Sequence, residues 1–113
     1  MDTSQPLALL GGLSPDQFMQ RHWQKKPLLI RQALPDMKPL IERSQLLEMV
    51  ESEEVESRLI VRKGAKWNLK KGPMGRKSLP SLKTPDWTVL IQGVDLHNEA
   101  VHSLLQQFRF VPD

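Results

Sequence analysis

Val55-Glu56-Ser57-Arg58-Leu59-Ile60-Val61, followed by Arg62-Lys63-Gly64-Ala65 and then Lys66-Trp67-Asn68-Leu69-Lys70, is the stretch on which the fold turns. The first seven residues are rich in β-branched side chains and read as a strand. Lys63-Gly64 supplies a turn, and Lys66–Lys70 alternates polar with apolar residues as a half-buried partner strand does. The expectation is a basic β-hairpin in which Trp67 packs with Leu59, Val61 and Leu69 on one face. Downstream, Trp87-Thr88-Val89-Leu90-Ile91-Gln92 is a nearly continuous apolar and β-branched run. Such runs are buried on both faces, so this strand is expected at the centre of the sheet.

Helices flank these strands. Ser14-Pro15-Asp16-Gln17 is a helix start, with Ser as N-cap, Pro at the first helical position and Gln closing a capping box. Phe18, Met19, His22 and Trp23 continue it as an apolar stripe of about two turns before Pro27 stops it. Leu28-Leu29-Ile30-Arg31 then reads as a short strand, and Pro35 and Pro39 mark a linker. Ser44 is expected to cap a second helix over Gln45–Glu51, with Leu46, Leu47, Met49 and Val50 on its apolar side. Asn98 or His97 caps a third, in which Val101, Leu104, Leu105 and Phe108 recur at helical spacing. The segments Lys71–Arg76 and Leu79–Leu82 carry Gly and Pro without periodicity and read as loops. The fold class is therefore α+β, short helices with a basic β-hairpin and a buried strand. Residues 1–14 form an N-terminal tail and residues 15–113 the α/β region.

Composition narrows the chemistry. The 113 residues suffice for one domain, and no apolar run approaches the 18 or more residues of a membrane span. The N-terminus lacks the basic and apolar regions of a secretory signal, so a cytoplasmic location is expected. With no Cys, disulfides, thiolate catalysis and Cys-ligated metals are excluded, leaving carboxylates, Lys and three His as reactive groups. The net charge of +3 conceals an asymmetry, because Ser57–Pro85 holds nine basic residues and no Asp or Glu. The rest of the chain carries seven basic against thirteen acidic residues. A cationic patch of this kind suits RNA or an acidic protein through phosphate attraction and steering. Arg62, Lys63, Lys66, Lys70, Lys71, Arg76 and Lys77 are the candidate partner-contact residues.

Other constellations are weaker. Asp95, His97 and His102 are numerically enough for a two-His-one-carboxylate iron site. A spacing of five residues, however, puts the two His about 140° apart around a helix, so Asp95 or Asn98 as a cap and His102 as a surface residue is the preferred reading. His22 beside Trp23 offers a stacking pair, but its place on the apolar stripe favours core packing. Trp67 among Lys66, Lys70 and Lys71 has the form of a base-stacking site. A packed hairpin Trp with solvated lysines is preferred, because no RNP-type or glycine-loop motif accompanies it. Gly11-Gly12 and Gly72–Gly75 lack phosphate-loop context, and Glu48–Glu56 reads as a solvated charged face.

Several segments, in order, resemble one family: Phe18-Met19-Gln20-Arg21-His22-Trp23-Gln24-Lys25-Lys26-Pro27-Leu28-Leu29-Ile30, Glu53-Glu54-Val55-Glu56-Ser57-Arg58-Leu59, Lys66-Trp67, Gly72-Pro73, Trp87–Asp95, and Leu104-Leu105 through Phe108-Arg109-Phe110-Val111-Pro112-Asp113. They look like the N-terminal portion of bacterial JmjC-type (cupin-4) ribosomal oxygenases, the ribosomal-protein arginine hydroxylases. The resemblance implies an iron(II)- and 2-oxoglutarate-dependent dioxygenase on a double-stranded β-helix, acting on an arginine of a large-subunit ribosomal protein. It implies equally that the iron and 2-oxoglutarate ligands belong to a barrel following the segment matched by Phe110–Asp113. The sequence contains no His-X-Asp, so no catalytic, cofactor or metal residue is assigned here and neither ligand is expected to bind this chain. The expected protein is an oxygenase region truncated before its barrel and inactive alone. The alternative is a small basic module for ribosomal RNA or an acidic protein, with no membrane partner in either case.

Overall fold

A computed structural model describes residues 2–111, which form two compact units, residues 2–39 with 107–111 and residues 40–106. In the first, a short 3-10 helix, Ala8–Leu10, lies in a loop closed by the Leu7 N–H donating to the Leu13 carbonyl at 3.0 Å. Helix α1, Pro15–Arg21, starts as the capping pattern requires. Gln17 N–H donates to Ser14 Oγ at 3.1 Å and Ser14 N–H to Gln17 Oε1 at 2.9 Å, each satisfying a donor that a helix start leaves orphaned. The helix stops at Arg21, before Trp23, where the Phe18 carbonyl accepts from both His22 and Trp23 and the second of these bonds widens the last turn.

Phe18 organises the aromatic contacts of this unit. It stacks on His22 at 6.1 Å between ring centroids, meets Trp23 at 6.4 Å, and takes the edge of Phe110 at 5.9 Å. The packing reading of His22 and Trp23 holds. The strand expected at Leu28–Arg31 does not form. Gln24 and Gln32 on either side both have φ of 55°, and chain reversals bracketing so short a segment leave it without a partner strand. Ile30 instead rests against Gly11.

The second unit carries the sheet. Helix α2 spans Arg43–Glu51, starting two residues earlier than expected. Its N-cap is Glu42 rather than Ser44, because the Gln45 Oε1 folds back to accept the Glu42 N–H at 2.8 Å. Strand β1, Ser57–Lys63, pairs antiparallel with β2, Lys66–Lys71, and with β3, Trp87–Ile91, giving the order β2-β1-β3. Lys63 and Lys66 are register partners, so the hairpin turn is Gly64-Ala65, with glycine at the first central position and φ of 62°. β1 therefore starts two residues after Val55, which is buried ahead of it.

Two expectations are corrected by this topology. β3 is an edge strand, not the central one, and its residues alternate half-buried and exposed instead of being buried on both faces. Its apolar run exceeds what its position needs, since Leu90 points to the open face and is 51% exposed. Trp67 is displayed rather than packed, at 67% exposed. It stands opposite Arg62, whereas Leu59 and Val61 belong to the other face.

The core of this unit lies on that other face: Val50 of α2, Leu59 and Met74, with Val61, Leu79, Trp87, Val89 and Ile91 packed around them. Each fully buried aliphatic side chain contributes about 1.5–3 kcal/mol, so burial of Val50, Leu59 and Met74 stabilises the unit by several kcal/mol in total. Gly72 passes directly over Ser57, and its N–H donates to the Ser57 carbonyl at 2.9 Å. After β3, a 3-10 helix over Val94–Leu96 leads to α3, Glu99–Gln106, where Asn98 Oδ1 accepts the Val101 N–H at 3.0 Å. Phe108, expected on the α3 face, lies beyond the helix end.

Candidate functional site: the outer face of the sheet

Side chains alternate across a strand, so the register fixes which residues share the open face. Arg58, Ile60 and Arg62 of β1 stand with Lys71, Leu69 and Trp67 of β2 and with Leu90 and Thr88 of β3. Trp67, Leu69 and Leu90 are all more than half exposed. Between Ile60, Arg62, Trp67, Asp86, Trp87 and Thr88 is a cleft of about 250 Å³.

Arg62 is the organising residue of the cleft. Its backbone N–H donates to the Asp86 carbonyl at 2.9 Å, and its guanidinium meets Asp86 Oδ1 at 3.2 Å. The same guanidinium carbon lies 5.7 Å from the centroid of the Trp67 ring. Asp86 adopts a left-handed φ of 62°, a conformation Asp tolerates better than most residues, and this turn brings its carboxylate to Arg62. Both partners are about half exposed, so the ion pair orients the guanidinium more than it stabilises the fold.

The seven candidate contact residues do not form one face. Arg62 and Lys71 share the open face. Lys63, Lys66 and Lys70 stand on the other face of the hairpin, and Arg76 and Lys77 lie in a 3-10 helix, Arg76–Ser78. All seven are exposed. Local compensation is greater than the sequence implies, because Arg62 pairs with Asp86 and Arg76 lies 3.8 Å from Glu51. Asp86 and Glu51 both lie outside the acid-free stretch and are returned to it by folding. Sequence reasoning missed Arg58 and Leu90 as members of the open face, because only strand register reveals them.

The three residues weighed as an iron site are spread over a 3-10 turn, its C-cap and α3. Asp95 sits in the Val94–Leu96 turn, His97 caps that turn, and His102 lies on α3 with its Nε2 3.2 Å from Gln106 Nε2. Among the described residues there is no group of three or more His, Asp or Glu that could hold a metal ion. Glu48, Glu51, Glu53, Glu54 and Glu56 are exposed, in keeping with a solvated face. No helix among the described residues is long and apolar enough to cross a membrane.

No family model matches the sequence. The "Ribosomal protein uL16 3-hydroxylase" of Escherichia coli is 32% identical over 99 residues, covering 88% of this chain and 26% of that protein. The "Probable ribosomal oxygenase" of Haemophilus influenzae is 30% identical over 101 residues, covering 88% of this chain and 25% of that protein. The homologues of this chain are ribosomal oxygenases. Among solved structures, the E. coli ribosomal oxygenase YcfD superposes with a TM-score of 0.73 at 30% identity, over 88% of this chain and 27% of YcfD. YcfD in complex with cobalt and 2-oxoglutarate gives 0.72 at 31% identity, over 87% and 26%. The α+β arrangement described above is similar to the N-terminal part of YcfD. The chain spans about a quarter of the length of the curated relatives it matches. Pro112 and Asp113, the end of the resembling Phe110–Asp113 segment, lie outside the described residues.

Proposed function

We propose that residues 15–113 are the N-terminal α/β region of an iron(II)- and 2-oxoglutarate-dependent ribosomal-protein hydroxylase, with residues 1–14 a separate leading segment. Its substrate is an arginine of a large-subunit ribosomal protein, uL16 by analogy with the E. coli relative, encountered in the cytoplasm. The observation carrying this reading is that a similarity of about 30% identity and a TM-score above 0.7 spans almost nine-tenths of the chain and coincides with one contiguous part of the homologue. In this reading the region plays a structural and partner-contacting part. Iron and 2-oxoglutarate are held by residues other than these.

The test is to incubate the purified chain with uL16, iron(II), 2-oxoglutarate and oxygen, and to follow uL16 association together with its mass. The proposal expects association without gain of an oxygen atom. Stoichiometric iron binding that is lost in His97→Ala, or oxygen gain with this chain alone, would overturn the assigned role.

A further inference from the structure

We propose that the open face of the sheet binds single-stranded RNA, with one base stacked on Trp67 beside the cleft. The choice of RNA over DNA rests on the ribosomal setting proposed above. Stacking and charge themselves follow from the residues. Trp67 stays 67% exposed on a strand although Arg62 lies over its ring. Leu69 and Leu90 extend the platform, while Arg58 and Lys71 face each other across β1 and β2 at its border. Of the cations on β1 and β2, Arg58, Arg62 and Lys71 stand on this face, and the carboxylate of Asp86 at the cleft is already engaged by Arg62.

An aromatic ring and flanking cations on an open sheet are the requirements of single-strand recognition: a base presents a π face, and its phosphates meet the cations. The cleft of about 250 Å³ beside Trp67 is smaller than the roughly 300–1,000 Å³ of most small-molecule sites, and suits one flat ring in a longer ligand. An acidic peptide would answer the charge but leave the ring face and cleft unused. A second copy would set Arg58 and Lys71 against their own equivalents, a like-charge juxtaposition.

The experiment titrates the full chain into a labelled single-stranded oligoadenylate of roughly ten nucleotides, inside the ~4–16-nucleotide site sizes of single-strand-binding folds, across a salt series. Trp67→Leu, which keeps an apolar strand residue, should weaken binding about tenfold, and Trp67→Phe should retain most of it, because stacking needs the ring. Arg58→Gln with Lys71→Gln removes two phosphate contacts and should flatten the logarithmic salt slope by about 1.4. A duplex of the same length should bind more weakly. The proposal is overturned if the parent shows no binding at low salt, if Trp67→Leu with unchanged circular dichroism binds as tightly as the parent, or if the double Gln variant keeps the full slope. Equal competition by polyglutamate would assign the face to an acidic protein instead. Failure here leaves uL16 association and hydroxylation as a separate result.

Discussion

Gly72 is the position where one added carbon should cost most. A Cβ built there would stand well inside van der Waals contact distance of Ser57 Oγ, and Ser57 is only 3% exposed, so the hydroxyl has little room to yield. Backbone conformation is not the obstacle, since Gly72 is absent from the positive-φ glycines. Overpacking of this kind costs roughly 1–3 kcal/mol, so Gly72→Ala is expected to lose about 2 kcal/mol. With a urea slope of roughly 1.5 kcal/mol/M, that lowers the unfolding midpoint by about 1.3 M. Ser57→Ala behaves differently. Ser57 Oγ is buried without a hydrogen-bond partner among the described residues, so its removal breaks no bond and should change stability by less than about 0.5 kcal/mol. In the double variant the new Cβ would stand 3.4 Å from the Cβ of residue 57 and 3.6 Å from Met74 Cε, ordinary contacts. The double-mutant cycle should therefore recover about 1.5 kcal/mol of coupling, read from urea unfolding by far-ultraviolet circular dichroism. If Gly72→Ala is equally damaging with and without the Ser57 hydroxyl, the close approach of the β2 end to β1 is not what constrains residue 72.

Four further outcomes follow from burial and capping. Leu59→Ala removes a 6%-exposed side chain from the core and should cost about 2–5 kcal/mol in urea unfolding, whereas Asp86→Asn, in a half-exposed ion pair, should cost under about 1 kcal/mol. Ser14→Ala removes the acceptor for Gln17 N–H and should lose about 1 kcal/mol of α1 stability, visible as faster amide exchange in its first turn. With Trp23 and Trp87 replaced by Phe, Trp67 fluorescence should be quenched strongly by iodide, because the ring is two-thirds exposed and cations around it attract the anion. Quenching no stronger than for a buried Trp would contradict the open face.

What the sequence disclosed was local. The Ser14/Gln17 box, the Asn98 cap and three of the four expected strands depend on residues close together in the chain, and each of these appears as expected. What it concealed was register. Whether Trp67 faces the core depends on a pairing that sets it opposite Arg62, and a shift of one residue would reverse it. The Trp87–Ile91 run looked central because apolar content reports burial summed over both faces, and an edge strand with an apolar open face has the same composition. The Glu42 cap was hidden because Ser44 is the better N-cap type, and a Gln side chain three residues after Glu42 decided the start. The cationic stretch was visible as charge, yet its division between two faces of a hairpin and its ties to Asp86 and Glu51 arise only on folding.

The most direct measurement replaces the matching quarter of the E. coli uL16 hydroxylase with residues 15–113 of this chain and follows uL16 by mass spectrometry in the presence of iron(II) and 2-oxoglutarate. If these residues are the corresponding region of a ribosomal oxygenase, the chimera folds and adds one oxygen to uL16. A folded chimera that binds 2-oxoglutarate but leaves uL16 unmodified, under conditions where the parent enzyme modifies it, would contradict the account.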